Sequence, residues 1–273
     1  MLVKQESARS SRHADTTPHP ILICLLGNFV LLKAGRPVGL RYGGKTQGLL
    51  YHLGLQHRHA VPRDMLLNVL WPASDIALAS QSLHSLVYSL HELVGDAIGG
   101  AAPVLHEEGH YRLNVEAGIG VDVACFDALT ETGDQYIRAG SMTAAVNAYT
   151  SAVDLYRGEL DDLHDGMDVQ IVVERERLRA RCLTLLAQLA DYHYGQRDYE
   201  ACAKHAWRLL ANDPCREDAH RVVMRCNVRR GERSEALRQY RVCKDILRTE
   251  FDVAPEAATT TLFDQIRLDP ASI

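Results

Sequence analysis

Several residue groups in this 273-residue chain could do chemistry. Thirteen histidines are many, and His57 with His59, or His106 with His110, could suggest a metal site or a pH switch. Their spacing closes no site, and no cysteine stands beside them, so they read as surface or satisfied histidines. Seven cysteines (24, 125, 182, 202, 215, 226 and 243) form no CxxC pair. Most sit among apolar helical positions, as reduced core thiols do. Gly43-Gly44-Lys45-Thr46 resembles a phosphate loop but lacks the leading glycine at the required spacing. It reads as a helix start that can meet a phosphate. The acidic phrase Asp161–Asp168 lacks the spacing and closing Glu of an EF-hand, so it reads as a solvated interhelical loop. No GxSxG, HExxH or glycine-rich turn after a strand occurs. The sequence therefore implies no enzyme, no cofactor and no metal.

What remains is hydrogen-bonding chemistry on one helix. In Ala77–Gly95, Leu83, Leu86, Val87, Leu90, Leu93 and Val94 recur at helical spacing and make an apolar face. Gln81, Ser82, His84, Ser85, Tyr88, Ser89 and His91 make the other. They are polar, nearly uncharged, and suited to base edges or phosphates. Gly95 is a natural helix stop.

The flanking elements must hold that helix in place. Ile21–Leu26 and Phe29–Lys33 are β-type runs around Gly27-Asn28, and Val38–Leu40 reads as a further short strand. Lys45–Gln56 and Arg63–Leu70 read as helices, with Arg58–Pro62 a linker between them. Val104–His106 and Tyr111–Asn114 flank Glu107-Glu108-Gly109 as a hairpin. A polar-faced helix held by two helices and followed by a hairpin is the plan of a winged helix-turn-helix.

From Val121 the pattern is helical alone, at about 122–139, 141–156, 168–195, 198–212, 215–230, 232–251 and 254–268. Gly195 and Gly231 open similar joints 36 residues apart, near the period of about 34 of tetratricopeptide repeats. Small residues after the turns (Ala145, Ala201, Ala236) let paired helices approach. The body thus reads as a short α-solenoid with a concave binding surface. The mixed-sign run Glu174–Arg181 reads as a salt-bridged helix face.

The expected fold is an α+β winged helix-turn-helix followed by an all-α, tetratricopeptide-like domain. The expected boundaries are a disordered tail at 1–20, the winged domain at 21–118 and the helical domain at 121–268, joined near Gly118–Val121. The net charge of −5 advertises no nucleic acid, since 21–120 carries seven Lys/Arg and seven acids, and 121–268 carries 20 against 25. No stretch is long enough to span a bilayer, and no signal peptide is evident, so the chain reads as cytoplasmic without a membrane partner.

The chain resembles the Streptomyces antibiotic regulatory protein family, which joins a response-regulator-type winged helix to a bacterial transcriptional activator domain. The resemblance covers about 21–268. In the first half it rests on Leu25-Leu26-Gly27, Leu66–Pro72 and Gly109–Leu113. In the second half it rests on Val121-Asp122-Val123 with Phe126, Leu155–Leu160, Glu174–Leu178, Ala236–Tyr240 and Glu250–Glu256. It implies a DNA-binding transcriptional regulator, an activator binding promoter repeats and contacting RNA polymerase, as a homodimer or as side-by-side protomers. An unidentified small-molecule effector is a further partner it leaves open.

The residues expected at double-stranded DNA are Lys45, Arg63, Ser82, His84, Ser85, Tyr88, Ser89, His91, His110 and Arg112, with Arg41 beside them. The family's recognition helix usually ends in an Arg-rich phrase, and the matching positions here are Ser89, His91 and Glu92. Without those arginines the common bidentate guanine contact is missing. A second reading therefore stands beside the first: a degenerate winged helix serving as a protein-interaction or ligand-sensing module with weak DNA binding.

Overall fold

The computed structural model describes residues 19–40, 44–160 and 169–273. The tail before His19, Arg41, Gly43 and the acidic phrase 161–168 lie outside the described residues. The chain forms two compact units. One holds the described residues up to Glu131 and from Asp154 to Val172, and the other holds Thr132–Val153 and Val173–Ile273.

The first unit opens on a sheet of β1 (Ile21–Cys24), β2 (Val30–Lys33), β3 (Arg36–Pro37) and β7 (Ile119–Val121), in the order β3-β2-β1-β7. All four residues of β1 are buried, as expected of a strand covered on both faces. The third strand lies at Arg36–Pro37 and not at the expected Val38–Leu40. Ala34 and Gly35 both take positive φ (49° and 73°) and reverse the chain in two residues, so Arg36 already pairs with Lys33. The stretch read as a joint near Gly118–Val121 supplies β7, which pairs parallel to β1. Three residues are too few to show a periodicity.

Directly after β7, Asp122 is almost fully buried. Its carboxylate accepts from the backbone N–H groups of Leu25 (2.8 Å) and Leu26 (3.0 Å) and from Arg157 (3.1 Å). Burial pushes its pKa up, against these hydrogen bonds and the Arg157 charge. Gly27 (φ 97°) lies against Gly158 so closely that a Cβ on Gly158 would come within 3.2 Å of the Gly27 Cα. Two family-like phrases, Leu25–Gly27 and Leu155–Leu160, are thus joined through one carboxylate, one glycine contact and the Gly27 N–H donated to the Glu159 carbonyl at 3.2 Å.

Helices α1 (Gly44–Leu55), α2 (Arg63–Leu70) and α3 (Ile76–Val94) follow the first strands. The wing consists of β5 (Val104–Glu107) and β6 (His110–Leu113), joined by Glu108-Gly109 with φ of 49° and 78°. Positive φ at both loop residues is the two-residue hairpin turn that matches strand twist. The linker expected at Arg58–Pro62 contributes β4 (Val61–Pro62), giving a wing sheet ordered β4-β6-β5. Pro62 can sit there because it is on an edge strand, where no ladder N–H is needed.

Gly95 does not end α3 in the left-handed region as expected. It stays right-handed (φ −59°) and opens a 3-10 turn through Ile98, and the left-handed stop is Gly99 (φ 68°). A Cβ on Gly95 would meet the His91 ring at 3.1 Å, so the missing side chain makes room for that ring.

The remaining helices are α4 (Asp122–Arg138), α5 (Met142–Leu155), α6 (Val169–Gly195), α7 (Tyr199–Asn212), α8 (Glu217–Arg229), α9 (Arg233–Phe251) and α10 (Ala257–Leu268). Helices α7 to α10 pack in chain order. Ala145 and Ala236 are fully buried at helix contacts, whereas Ala201 is half-buried and Cys202 and Ala203 make the close approach. Asp198 caps α7 by accepting from Ala201 N–H at 3.0 Å. Gly133 lies under Tyr149, where a Cβ would come within 2.2 Å of the ring. The Tyr149 hydroxyl donates to Asp134 at 2.6 Å, and Arg181 donates to the other Asp134 oxygen at 2.5 Å. Buried His220 accepts from Gln239 at Nδ1 (2.7 Å), so its Nε2–H donates to the Pro214 carbonyl (2.9 Å). It is a satisfied core histidine. Five cysteines are buried, Cys125 and Cys215 are half-buried, and all seven are free.

Candidate nucleic-acid interface

Asp75 starts α3 by accepting from the N–H groups of Ala77 (2.8 Å) and Leu78 (3.2 Å). Ala79, Leu83, Leu86, Leu90 and Val94 are buried along one line. Fully burying a leucine contributes up to about 1.5–3 kcal/mol, so this line fixes the helix rotation. At 3.6 residues per turn, Gln81 stands opposite that line, with Leu78, Ser85 and Tyr88 on the same outer strip. Leu78 is 64% exposed and Tyr88 66%. None of the 19 residues of α3 is Lys or Arg.

The expected contact residues divide by placement. Ser82 Oγ donates to the Leu78 carbonyl (2.9 Å) and Ser85 Oγ to the Gln81 carbonyl (3.0 Å). Both hydroxyl protons are turned into the helix, and lone pairs remain outward. Ser89 is half-buried beside the strip. His91 turns its ring toward Gly95, with Nδ1 buried and without a partner among the described residues.

His84 faces the wing. Its ring centroid lies 6.3 Å from that of His106, which stacks on Tyr111 at 4.3 Å and 18°. Burial raises the Tyr111 pKa, opposed by the nearby Arg63 charge. Arg63 donates its backbone N–H to the Gly109 carbonyl at 2.8 Å, so the start of α2 is tied to the wing turn. Sequence reasoning missed the His106–Tyr111 stack. The two residues pair directly across β5 and β6, but only once the turn is shortened to Glu108-Gly109.

The cations are mostly engaged. Lys45 Nζ donates to the Leu70 carbonyl, closing the C-terminus of α2, and lies 5.8 Å from the Trp71 ring centroid. Lys33 pairs with Asp96 at 2.5 Å, Arg58 with Asp127 at 3.5 Å, and Arg112 with Glu107 at 3.6 Å. Arg36 and Arg63 have no acidic partner among the described residues. The wing tip carries Glu107 and Glu108, and the His110 ring sits 3.1 Å from the Glu108 carbonyl. The structure thus brings His84, Arg63, His110 and Arg112 to the α3–wing side, and places Lys45 at the far end of α2.

Comparison with known proteins shows the family. Residues 121–267 match the family model of the bacterial transcriptional activator domain. The chain is 29% identical to the regulatory protein DnrI of Streptomyces peucetius over 227 residues, covering 80% of this chain and 82% of that one. It is 25% identical to the transcriptional regulatory protein MoaR1 of Mycobacterium tuberculosis, covering 81% and 71%. The regulatory protein AfsR of Streptomyces coelicolor matches at 24% over 83% of this chain and 22% of its own length. Among solved structures, Mycobacterium tuberculosis EmbR in complex with a low-affinity phosphopeptide superposes with a TM-score of 0.67 and 23% identity. It covers 93% of this chain and 68% of EmbR, and it shares the fold. The chain belongs to the bacterial transcriptional activator domain family and is a transcriptional regulator of the Streptomyces antibiotic regulatory protein type.

Proposed function

We propose that this regulator binds double-stranded promoter DNA by laying the outer strip of α3 in the major groove, with the wing hairpin on the adjacent backbone. One observation carries the reading. The strip Leu78–Gln81–Ser85–Tyr88 is exposed and continuous, while the line opposite it is fully buried. Ser82, His84 and Ser89 flank the strip and supply secondary contacts. Arg63, Arg112 and His110 meet phosphates. Lys45 acts first as the α2 cap and reaches phosphate only with its remaining N–H donors, and His91 supports the turn at Gly95. The helical body contacts RNA polymerase and a second protomer on repeated sites, in the cytoplasm, and the chain carries out no catalysis. No helix among the described residues is long and apolar enough to cross a membrane.

The second reading, a protein-interaction or sensing module, is favoured by the engagement of Lys33, Lys45, Arg58 and Arg112 within the free protein. Fluorescence anisotropy of the full chain on duplexes carrying direct repeats, over a salt series, separates the two. Saturable binding that weakens with salt and favours some sequences supports groove recognition. Weak binding that ignores both sequence and salt supports the module.

A further inference from the structure

We infer that Gln81 is the base-specificity residue of α3: it reads the adenine of an A·T pair, and Leu78 packs on the thymine methyl of a neighbouring pair. This rests on the reading above that α3 enters the major groove. Gln81 stands at the centre of the outer strip, opposite Leu83, Leu86 and Leu90, so it projects furthest toward a groove floor. It is also the one side chain there with a free donor and a free acceptor side by side. Ser82 and Ser85 have already turned their hydroxyl protons to the carbonyls of Leu78 and Gln81. Tyr88 offers a single phenol, and Glu92 only acceptors. The side chain of Gln81 makes no hydrogen bond among the described residues.

The chemistry then selects the base. Adenine presents N7 as an acceptor and the N6 amino group as a donor, which one amide meets bidentately through its NH2 and its oxygen. Guanine presents two acceptors and calls for a cationic fork, and α3 holds no Lys or Arg. Leu78, one turn earlier on the same strip and 64% exposed, offers an apolar surface of the kind that meets a thymine C5-methyl. An exposed leucine in water gains nothing from hydration, so burial on a methyl group is the favourable outcome of docking. The recognised step is therefore rich in A·T, in contrast to the guanine contact an Arg-bearing helix would make.

The test is selection from a random duplex library with the full chain and three variants, Gln81→Ala, Gln81→Arg and Leu78→Ala, each first shown by thermal melting to be folded. The parent should enrich sites with adenine at one fixed position, preferred by about 5- to 150-fold over the other bases. Gln81→Ala should keep its affinity for random DNA and its salt slope and lose that one preference. Gln81→Arg should move the preference at the same position to guanine. Leu78→Ala should lose a thymine preference at a neighbouring position. An unchanged selected site for Gln81→Ala, or a parent that prefers guanine there, overturns the inference while leaving groove binding standing. A parent that binds no duplex at low salt overturns both.

Discussion

At the scale of single residues, two side chains show how placement decides role. Asp122 satisfies two buried backbone N–H groups and Arg157 at once. Asp122→Ala leaves the N–H groups of Leu25 and Leu26 orphaned and the guanidinium unpaired. A loss of about 3 kcal/mol is expected, read as a drop in the urea midpoint with an unchanged m-value. A variant within half a kcal/mol of the parent would show that the carboxylate does not hold β1 to α4. The second contrast is Lys45 against Arg63. Arg63→Ala should weaken specific and random DNA alike and lower the salt slope by about one. Lys45→Ala should instead lower thermal stability by about 1 kcal/mol, through the lost α2 cap and Trp71 contact, and move the slope less. Reversal of this pattern in melting and anisotropy would exchange the two roles.

At the scale of elements, the wing turn runs against the task proposed for it. Glu108 takes a left-handed conformation (φ 49°) in which Asn is favoured. It also adds an acid where the hairpin would approach phosphate. Glu108→Asn should therefore raise the melting temperature by a few degrees and tighten binding to every duplex, with a steeper salt dependence. Higher stability with unchanged DNA affinity would place the wing away from the backbone. In the body, Gly133 has a comparable steric role. Its missing Cβ lets Tyr149 lie across α4 and reach Asp134. Desolvation and the carboxylate together push the Tyr149 pKa up to about 12, so the phenol stays a donor.

At the scale of the whole molecule, charge and protonation give the measurable signatures. With most described cations of the winged domain already paired, few phosphates are neutralised, and a slope of log affinity on log salt of about −2 to −3 is expected. Stability should also depend on acid through His220. Burial lowers its pKa below 6.5, outweighing the Pro214 carbonyl and the nearby carboxylates. A base whose folded pKa is depressed binds protons better when unfolded. Its contribution is therefore fully present above about 6.5 and declines as pH falls toward its folded value. Denaturation midpoints should drop as pH falls below about 6.5, and His220→Gln should flatten that drop. Asp218, held below the usual carboxylate range by its hydrogen bond from Arg216, loses its contribution only below about pH 4. The two effects therefore begin at different pH, the His220 loss first as the solution is acidified. An equally steep decline below about pH 6.5 in the His220→Gln protein would assign the acid sensitivity elsewhere.

Much of this was legible in the sequence because it is local. The apolar line Leu83–Leu86–Leu90, the span Arg63–Leu70 and the helices of the body follow from periodicity and capping within a few residues, and the family-like phrases lie in that frame. Tertiary structure decided what depends on partners distant in sequence. Strands of two or three residues, β4 at Val61–Pro62 and β7 at Ile119–Val121, carry no readable alternation and exist only because β6 and β1 lie ready to pair. Gly95 reads as a stop, yet packing of the His91 ring and burial of Ile98 extend the chain by another turn. Lys45 reads as a phosphate anchor, and only the fold adds that its Nζ also donates to the Leu70 carbonyl beside the Trp71 ring. Which polar residue on α3 keeps its donor free was settled by hydrogen bonds one turn away. Residue type already sets the Gln81 amide apart from the hydroxyls of Ser82 and Ser85, and the folded helix adds that the two serines turn their protons inward while the glutamine stays exposed.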